Sequence, residues 1–221
     1  MSMRITSEIF QVGGNELSAP EDTAVYLISS GKSAALVDAG CGNSVGMICD
    51  NIHACGVDPS NVELILLTHC HFDHTGGAKA LQGRLDCRIV AHKEDARFLE
   101  SGASDVTAAT WYGATLEPLI VDRKITGSRA DIQLGDNIIQ AIHTPGHSPG
   151  SVVYVAESDG LRVLFGQDVH GPLHPSFLSN KKKYHASLEL LISLEADILC
   201  EGHFGVYRGK KEVRRFIESY L

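Results

Sequence analysis

Four side chains of metal-ligand type fall within six residues, at His69, His71, Asp73 and His74, inside the run Thr68-His69-Cys70-His71-Phe72-Asp73-His74-Thr75-Gly76-Gly77. The apolar stretch Val62 to Leu67 precedes them and reads as a buried strand that ends at the cluster. In an extended chain alternate side chains share a face, so His69 and His71 point the same way, and the turn after them sends Asp73 and His74 towards a second point. The spacing predicts two adjacent metal positions. Neutral imidazoles with a carboxylate suit zinc, iron, manganese or nickel, and ligand type alone does not choose among them.

Three further ligand-type residues follow strand-like segments. His147 lies in Thr144-Pro145-Gly146-His147-Ser148-Pro149-Gly150, a loop stiffened by prolines and glycines. Asp168 follows Val163-Leu164-Phe165, and His203 follows Ile198-Leu199-Cys200. If helices pack outside the sheets, loops at four strand ends can converge on one rim. His69, His71 and His147 then form one three-nitrogen set, Asp73, His74 and His203 a second, and Asp168 can bridge them. Asp38 also closes a strand, where it either caps the next turn or serves the site. His170 and His174 come soon after Asp168, as extra ligands, as acid-base groups or as packing within a proline-rich loop. His92 and His143 read as structural, and Cys70 alternates away from the flanking imidazoles towards the interior.

The elements that position these residues can be drawn from periodicity and punctuation. Strands are predicted at Ile9–Val12, Ala24–Ile28, Ala34–Asp38, Val62–Leu67, Cys87–Ala91, Val152–Val155, Val163–Phe165 and Ile198–Cys200, with a hairpin over Ile132–Ile142 turning at Gly135-Asp136. Helices are predicted from an Asn43 or Ser44 cap to Ala54, from Gly77 to about Leu85, over Lys93–Leu99, about Lys183–Leu194 and Lys211–Tyr220. Residues 101–123 show no single period. They contain Trp111 and Tyr112, an aromatic pair that either plugs a gap or lines a substrate cleft.

Composition sets the bounds. The 221 residues, 43% hydrophobic, fit one large domain over 1–221 or two small ones, with ample material for a core. A formal charge of -8 disfavours a nucleic-acid or acidic-membrane partner, and the only cationic run is Lys181-Lys182-Lys183. Six cysteines form no CxxC pair and the amino terminus shows no apolar leader, so reduced thiols in a cytoplasmic protein are expected. No apolar stretch approaches the ~20 residues of a membrane span.

The string THCHFDHTGG with downstream TPGH, FGQD and EGH resembles the metallo-β-lactamase superfamily, and the resemblance covers essentially the whole chain. It implies an α/β protein built as a four-layer αββα sandwich. Asp38, within Leu36-Val37-Asp38-Ala39-Gly40, matches the family's early aspartate that supports the ligands. Within the superfamily the pattern is nearest the glyoxalase II-like branch. The resemblance implies a hydrolase with two divalent metal ions, zinc first with iron or manganese as alternatives, acting on a small-molecule ester, thioester or lactone. Asp73 would be ligand and orienting base, and Trp111, Tyr112, His170 and Tyr184, with Phe177, would contact substrate. A homodimer through an exposed edge or loop is compatible with the sequence. Two positions depart from the family pattern: Gln167 replaces the usual glycine before the bridging aspartate, and Glu201 replaces the proline of PGH. Two other readings stay open at this point: a single iron held by His69, His147 and Asp168 in a persulfide dioxygenase-like enzyme, and a noncatalytic metal-binding module.

Overall fold

The computed structural model describes residues 2–14 and 16–221. Its first half forms a seven-stranded sheet in sequence order: β1 (Met3–Arg4), β2 (Ile9–Gly13), β3 (Val25–Ser30), β4 (Ser33–Val37), β5 (Val62–Leu66), β6 (Arg88–His92) and β7 (Arg123–Ile125). The first four strands run antiparallel and the last four, from β4 onwards, parallel. The parallel crossovers carry α1 (Val45–Ala54), the single turn α2 (Phe72–Thr75), α3 (Ala78–Leu85) and α4 (Lys93–Ser101). The second half forms a six-stranded sheet of β8 (Arg129–Leu134), β9 (Asn137–His143), β10 (Val152–Ser158), β11 (Leu161–Gln167), β12 (Ile198–Glu201) and β13 (Val206–Arg208), flanked by α5 (Lys181–Ser193) and α6 (Lys210–Glu218).

Strand periodicity sorts the core into three layers. On β4, Ala34 and Leu36 face α1, α3 and α4, whereas Ala35 and Val37 face the other sheet; on β5, Ile65 and Leu67 face the helices and Leu64 and Leu66 the other sheet. On β10, Val152, Tyr154 and Ala156 fill the inter-sheet layer, while Val153 and Val155 meet Leu188 and Leu191 of α5 and Val213 and Ile217 of α6. Helices outside, sheets inside, gives the expected αββα order. Burial on both faces explains why β5 and β10 read as continuous apolar runs.

The two sheets are tied together at the end where the ligand-type residues lie. Tyr26 reaches across from β3 and donates its hydroxyl to the Glu201 carbonyl at 2.7 Å, and Tyr154 reaches back from β10 to the Leu67 carbonyl at 2.9 Å. Both rings are fully buried. Val152 N–H donates to the Thr68 carbonyl at 2.7 Å, and Ala24 N–H to Gly202 O at 2.8 Å. Each bond ends within two residues of a ligand-type side chain, so the sheet-to-sheet spacing is set at the rim itself.

Several local outcomes differ from expectation. Ser44 stands at the α1 N-cap but makes no capping bond; its hydroxyl donates to the Asp22 carboxylate instead. Helix α5 starts at Lys181, two residues before the expected start, because Asn180 caps it by accepting from Lys183 N–H at 2.9 Å. The short strands β1, β7 and β13 were not foreseen. Among the described residues no helix is long and apolar enough to cross a membrane, and the six cysteines are free thiols.

Candidate metal centre

Strand β5 ends at Leu66, bends over Thr68 to Cys70 replace the expected extended chain, and α2 then turns Asp73 and His74 inward, all four ligand-type residues being buried. The β9–β10 loop brings His147, the end of β11 brings Asp168, and the end of β12 brings His203. These residues fall into groups whose ligand atoms lie within 4.8 Å of one another: His69, His71, His147 and Asp168 in one, and Asp73, His74 and His203 in another.

In the first set His69 Nε2 lies 3.0 Å and His147 Nε2 2.9 Å from His71 Nδ1. Second contacts fix what these nitrogens present. Thr68 Oγ1 donates to Asp38 at 2.8 Å, so it accepts from His69 Nδ1–H at 3.0 Å and leaves Nε2 a bare lone pair. His147 Nδ1–H donates to the Pro172 carbonyl at 2.9 Å with the same consequence. Two lone pairs therefore converge on His71 Nδ1, which can donate to one of them at most. A zinc–nitrogen bond of about 2.0–2.1 Å in a tetrahedral shell puts neighbouring ligand atoms a little over ~3 Å apart, close to the spacing seen. Burial first, and neighbouring histidines second, hold His69 and His71 well below the ordinary imidazole pKa, so both are neutral donors at physiological pH.

In the second set His74 Nε2 lies 3.1 Å from Asp168 Oδ1 and 3.7 Å from Asp73 Oδ2. His203 Nε2 lies 3.3 Å from each of the same two oxygens. The other Asp168 oxygen, Oδ2, faces the first set, 3.3 Å from His147 Nε2 and 3.6 Å from His69 Nε2. One carboxylate thus presents one oxygen to each set. Four buried side-chain polar atoms among the described residues have no hydrogen-bond partner, and His74 Nε2 and Asp168 Oδ1 are two of them. The others are His92 Nε2 and His71 Nε2, the latter on a ring that packs 4.3 Å from Phe177. Orphaned polar atoms in a buried site are costly unless something satisfies them, and a cation at this point would. The residues fit a pair of metal ions.

The electrostatics point the same way. Burial would lower the His74 pKa, but Asp168, Asp73 and Asp38 outweigh it and hold it well above the usual value. At His203 burial is likewise outweighed by the hydrogen bonds to Asp168 and Asp73, and the pKa is pushed up to about 10. His74 and His203 therefore carry protons at neutral pH that a cation must displace, whereas His69 and His71 do not. Affinity for the second ion is expected to rise with pH between about 7 and 10, by up to about tenfold per unit for each proton displaced, while affinity for the first stays nearly flat. Chelator competition at stepped pH measures both; equal pH slopes for the two ions would contradict the assignment.

Asp38 is fully buried at φ 62°, a left-handed backbone that costs a non-glycine residue about 1–3 kcal/mol. That conformation lets its carboxylate accept from Thr68 N–H and Oγ1 at 2.8 Å each and lie 2.6 Å from His74 Nδ1. It orients a ligand of each set.

Two supporting carboxylates were missed at the level of sequence. Asp95, buried on α4, accepts from Cys70 N–H at 2.9 Å, Ser148 Oγ at 2.6 Å and Gly150 N–H at 2.6 Å, and so ties the loop of His69 and His71 to that of His147. Gly150 is required here, since a Cβ would sit 2.5 Å from Asp95 N. Glu201, fully buried, accepts from His203 N–H at 2.8 Å and Phe204 N–H at 2.9 Å, and pairs with His170 Nδ1 at 2.7 Å. The residue that departs from the family's proline thus shapes the His203 turn by hydrogen bonding.

The residues expected to contact substrate fall into different places. Trp111 is 56% exposed and packs 4.7 Å from Phe177 and 5.2 Å from His174, on the rim beside the first set. Tyr112 lies against Asp73 beside the second set; burial and then Asp73 push its phenol up. His170 packs 5.1 Å from His203. Tyr184 is buried, its hydroxyl donates to the Val169 carbonyl, and its backbone closes on Gly146, where a Cβ would lie 2.3 Å away. It supports the His147 loop from behind. His174 Nδ1 accepts from Ser176 N–H and caps the short turn that carries Phe177. Cys70 is buried among the helix-side residues, as its alternation predicted.

The architecture is shared with solved structures. A B3 metallo-β-lactamase with an active-site glutamic acid superposes with a TM-score of 0.83 at 24% identity, covering 99% of this chain and 86% of that one. Beta-lactamase-like protein 2 homolog of Drosophila melanogaster is 28% identical over 209 residues, 92% of this chain and 66% of its own length. A hydroxyacylglutathione hydrolase of Anaeromyxobacter dehalogenans is 33% identical over 133 residues, 60% of this chain and 42% of its own. The chain thus spans less than two thirds of either relative. The metallo-beta-lactamase superfamily model matches residues 19–203, which take in every ligand-type residue of both sets, and the chain belongs to that superfamily.

Proposed function

We propose that the chain is a dinuclear metal-dependent hydrolase acting on a small-molecule ester, thioester or lactone, in the manner of the glyoxalase II-like branch. The observation that carries this is Asp168, with one oxygen turned to the imidazoles of His69 and His147 and the other to those of His74 and His203. The likeness to a hydroxyacylglutathione hydrolase supports the thioester class. His69, His71 and His147 with Asp168 Oδ2 would hold one ion, and Asp73, His74 and His203 with Asp168 Oδ1 the other; three imidazoles in the first set suit zinc.

Bound there, divalent ions would polarise the substrate carbonyl and make water acidic enough to attack near neutral pH. The protein's own part is positioning and proton handling. Asp38 and Thr68 engage Nδ1 of His74 and His69 and orient both rings, so Nε2 is the atom each would offer to an ion. Asp73 faces His203 through Oδ2, and its carboxylate would orient the attacking water and take up its proton. Phe177 and Trp111 shield the first set with apolar surface. In this reading the partner is a small molecule and the residues work as one domain.

Steady-state assays of the zinc-loaded protein against thioester and lactone panels test the reading. Turnover abolished by a chelator and restored by zinc is expected. Inactivity on every thioester, ester and lactone, with oxygen uptake on persulfides by an iron-loaded sample, would overturn it.

A further inference from the structure

Beside the second ligand set the surface opens into a cleft of about 850 Å³, walled by residues of the 11–24 segment, by Tyr112 and by the turn from Gly202 to Gly205 that includes His203. Three carboxylates line it, Glu16, Glu21 and Asp22, and among the described lining residues there is no lysine or arginine. Asp22 is held in place: it is 5% exposed, and its oxygens accept from Cys41 N–H at 2.8 Å and from the hydroxyls of Ser18 and Ser44. Glu21 is held ionised by a hydrogen bond from Asn43. Beside Gln11 and His203 the wall also exposes apolar side chains, with Met3 42%, Tyr112 43% and Phe204 57% exposed.

The cleft meets the site at His203, whose set contains the unpartnered buried atoms His74 Nε2 and Asp168 Oδ1. A molecule reacting at that set and extending outward passes His203 and then meets a stretch of wall whose charged side chains are the three carboxylates, with apolar footholds beside them. Like charges within about a Debye length repel, and low-dielectric walls strengthen the effect. A polyanionic carrier is therefore disfavoured here, whereas an uncharged or cationic group with an aryl or alkyl body gains contact with Tyr112, Phe204 and Met3.

Building on the hydrolase reading, we propose that this cleft receives the thiol or alcohol half of the substrate and selects an uncharged or cationic apolar group over polyanionic carriers such as glutathione or coenzyme A. The chemical class is then an ester or thioester of a small apolar thiol or alcohol. It follows that this chain and the hydroxyacylglutathione hydrolase it resembles differ in leaving-group charge.

Two measurements on the zinc-loaded protein test this. The first is kcat/KM for three thioesters with one acyl group, carried on benzyl mercaptan, glutathione and coenzyme A. The second is equilibrium binding of the three free thiols by calorimetry. The benzyl compounds are expected to lead both anionic carriers by about tenfold or more at low salt, with the gap shrinking as ionic strength rises. Glu16→Lys combined with Glu21→Lys is expected to narrow the ratio severalfold. Glutathione or coenzyme A equal to or better than the benzyl compound in binding, or a ratio unmoved by the charge reversal, would overturn the assignment. Ranked thiol binding with no thioester, ester or lactone turned over would leave the cleft assignment supported and sink the hydrolase reading, so the two failures are distinguishable.

Discussion

Asp168→Ala is expected to lower kcat/KM by roughly 10³-fold or more and to leave less than two ions per chain, because it removes a ligand from both sets at once. Asp168 Oδ2 stands 3.3 Å from His147 Nε2 and Oδ1 3.1 Å from His74 Nε2, and no neighbouring side chain can take over that span. The conservative Asp168→Asn is the sharper probe. It keeps the shape but turns an amide N–H towards one set, so one ion is expected to be retained and one lost. Far-UV circular dichroism with metal analysis separates loss of ligand from loss of structure.

Asp95→Asn is expected to weaken the first ion's binding by about 10–100-fold and to cost about 1–3 kcal/mol of stability, although Asp95 touches no ligand side chain. Three donors converge on its carboxylate, from the Cys70 and Gly150 backbones and the Ser148 hydroxyl. An asparagine offers one acceptor oxygen in place of two, so a buried N–H is left opposed to another donor. The loop holding His147 would then be free to move relative to His69 and His71. Chelator competition together with urea melts measures this; a stability loss with unchanged affinity for the first ion would reduce Asp95 to packing.

The ligand residues were legible because they sit next to strand signals: an apolar run ending in HxHxDH, a stiff TPGH loop, and Asp168 and His203 directly after strands. The layered fold followed from the alternation of strands and helices together with the family motif. What sequence could not supply were contacts distant along the chain. Asp95 reads as an acid in the first turn of a helix, a common place for favourable interaction with the helix dipole, and nothing local points to Ser148 or Gly150. Glu201 reads as a departure from a proline until its two backbone partners and His170 are seen. Tyr184 sits at helix spacing, and only the close approach of Gly146 and the bond to Val169 turn it away from the site rim. Strands β7 and β13 are three residues each, and their pairing depends on β6 and β12 rather than on any pattern of their own. Residues 101–123 lack a period because a short 3₁₀ turn over Ala109–Tyr112 and scattered buried positions, Leu116, Leu119 and Val121, do the packing.

In the proposed centre Asp168 would serve both ions at once. Metal content by inductively coupled plasma mass spectrometry on zinc-loaded, desalted protein, beside Asp73→Ala and His203→Ala treated identically, tests it most directly. Two ions per chain in the unmodified protein, falling towards one in both variants, is the expected result. One ion per chain, unchanged in either variant, would contradict it.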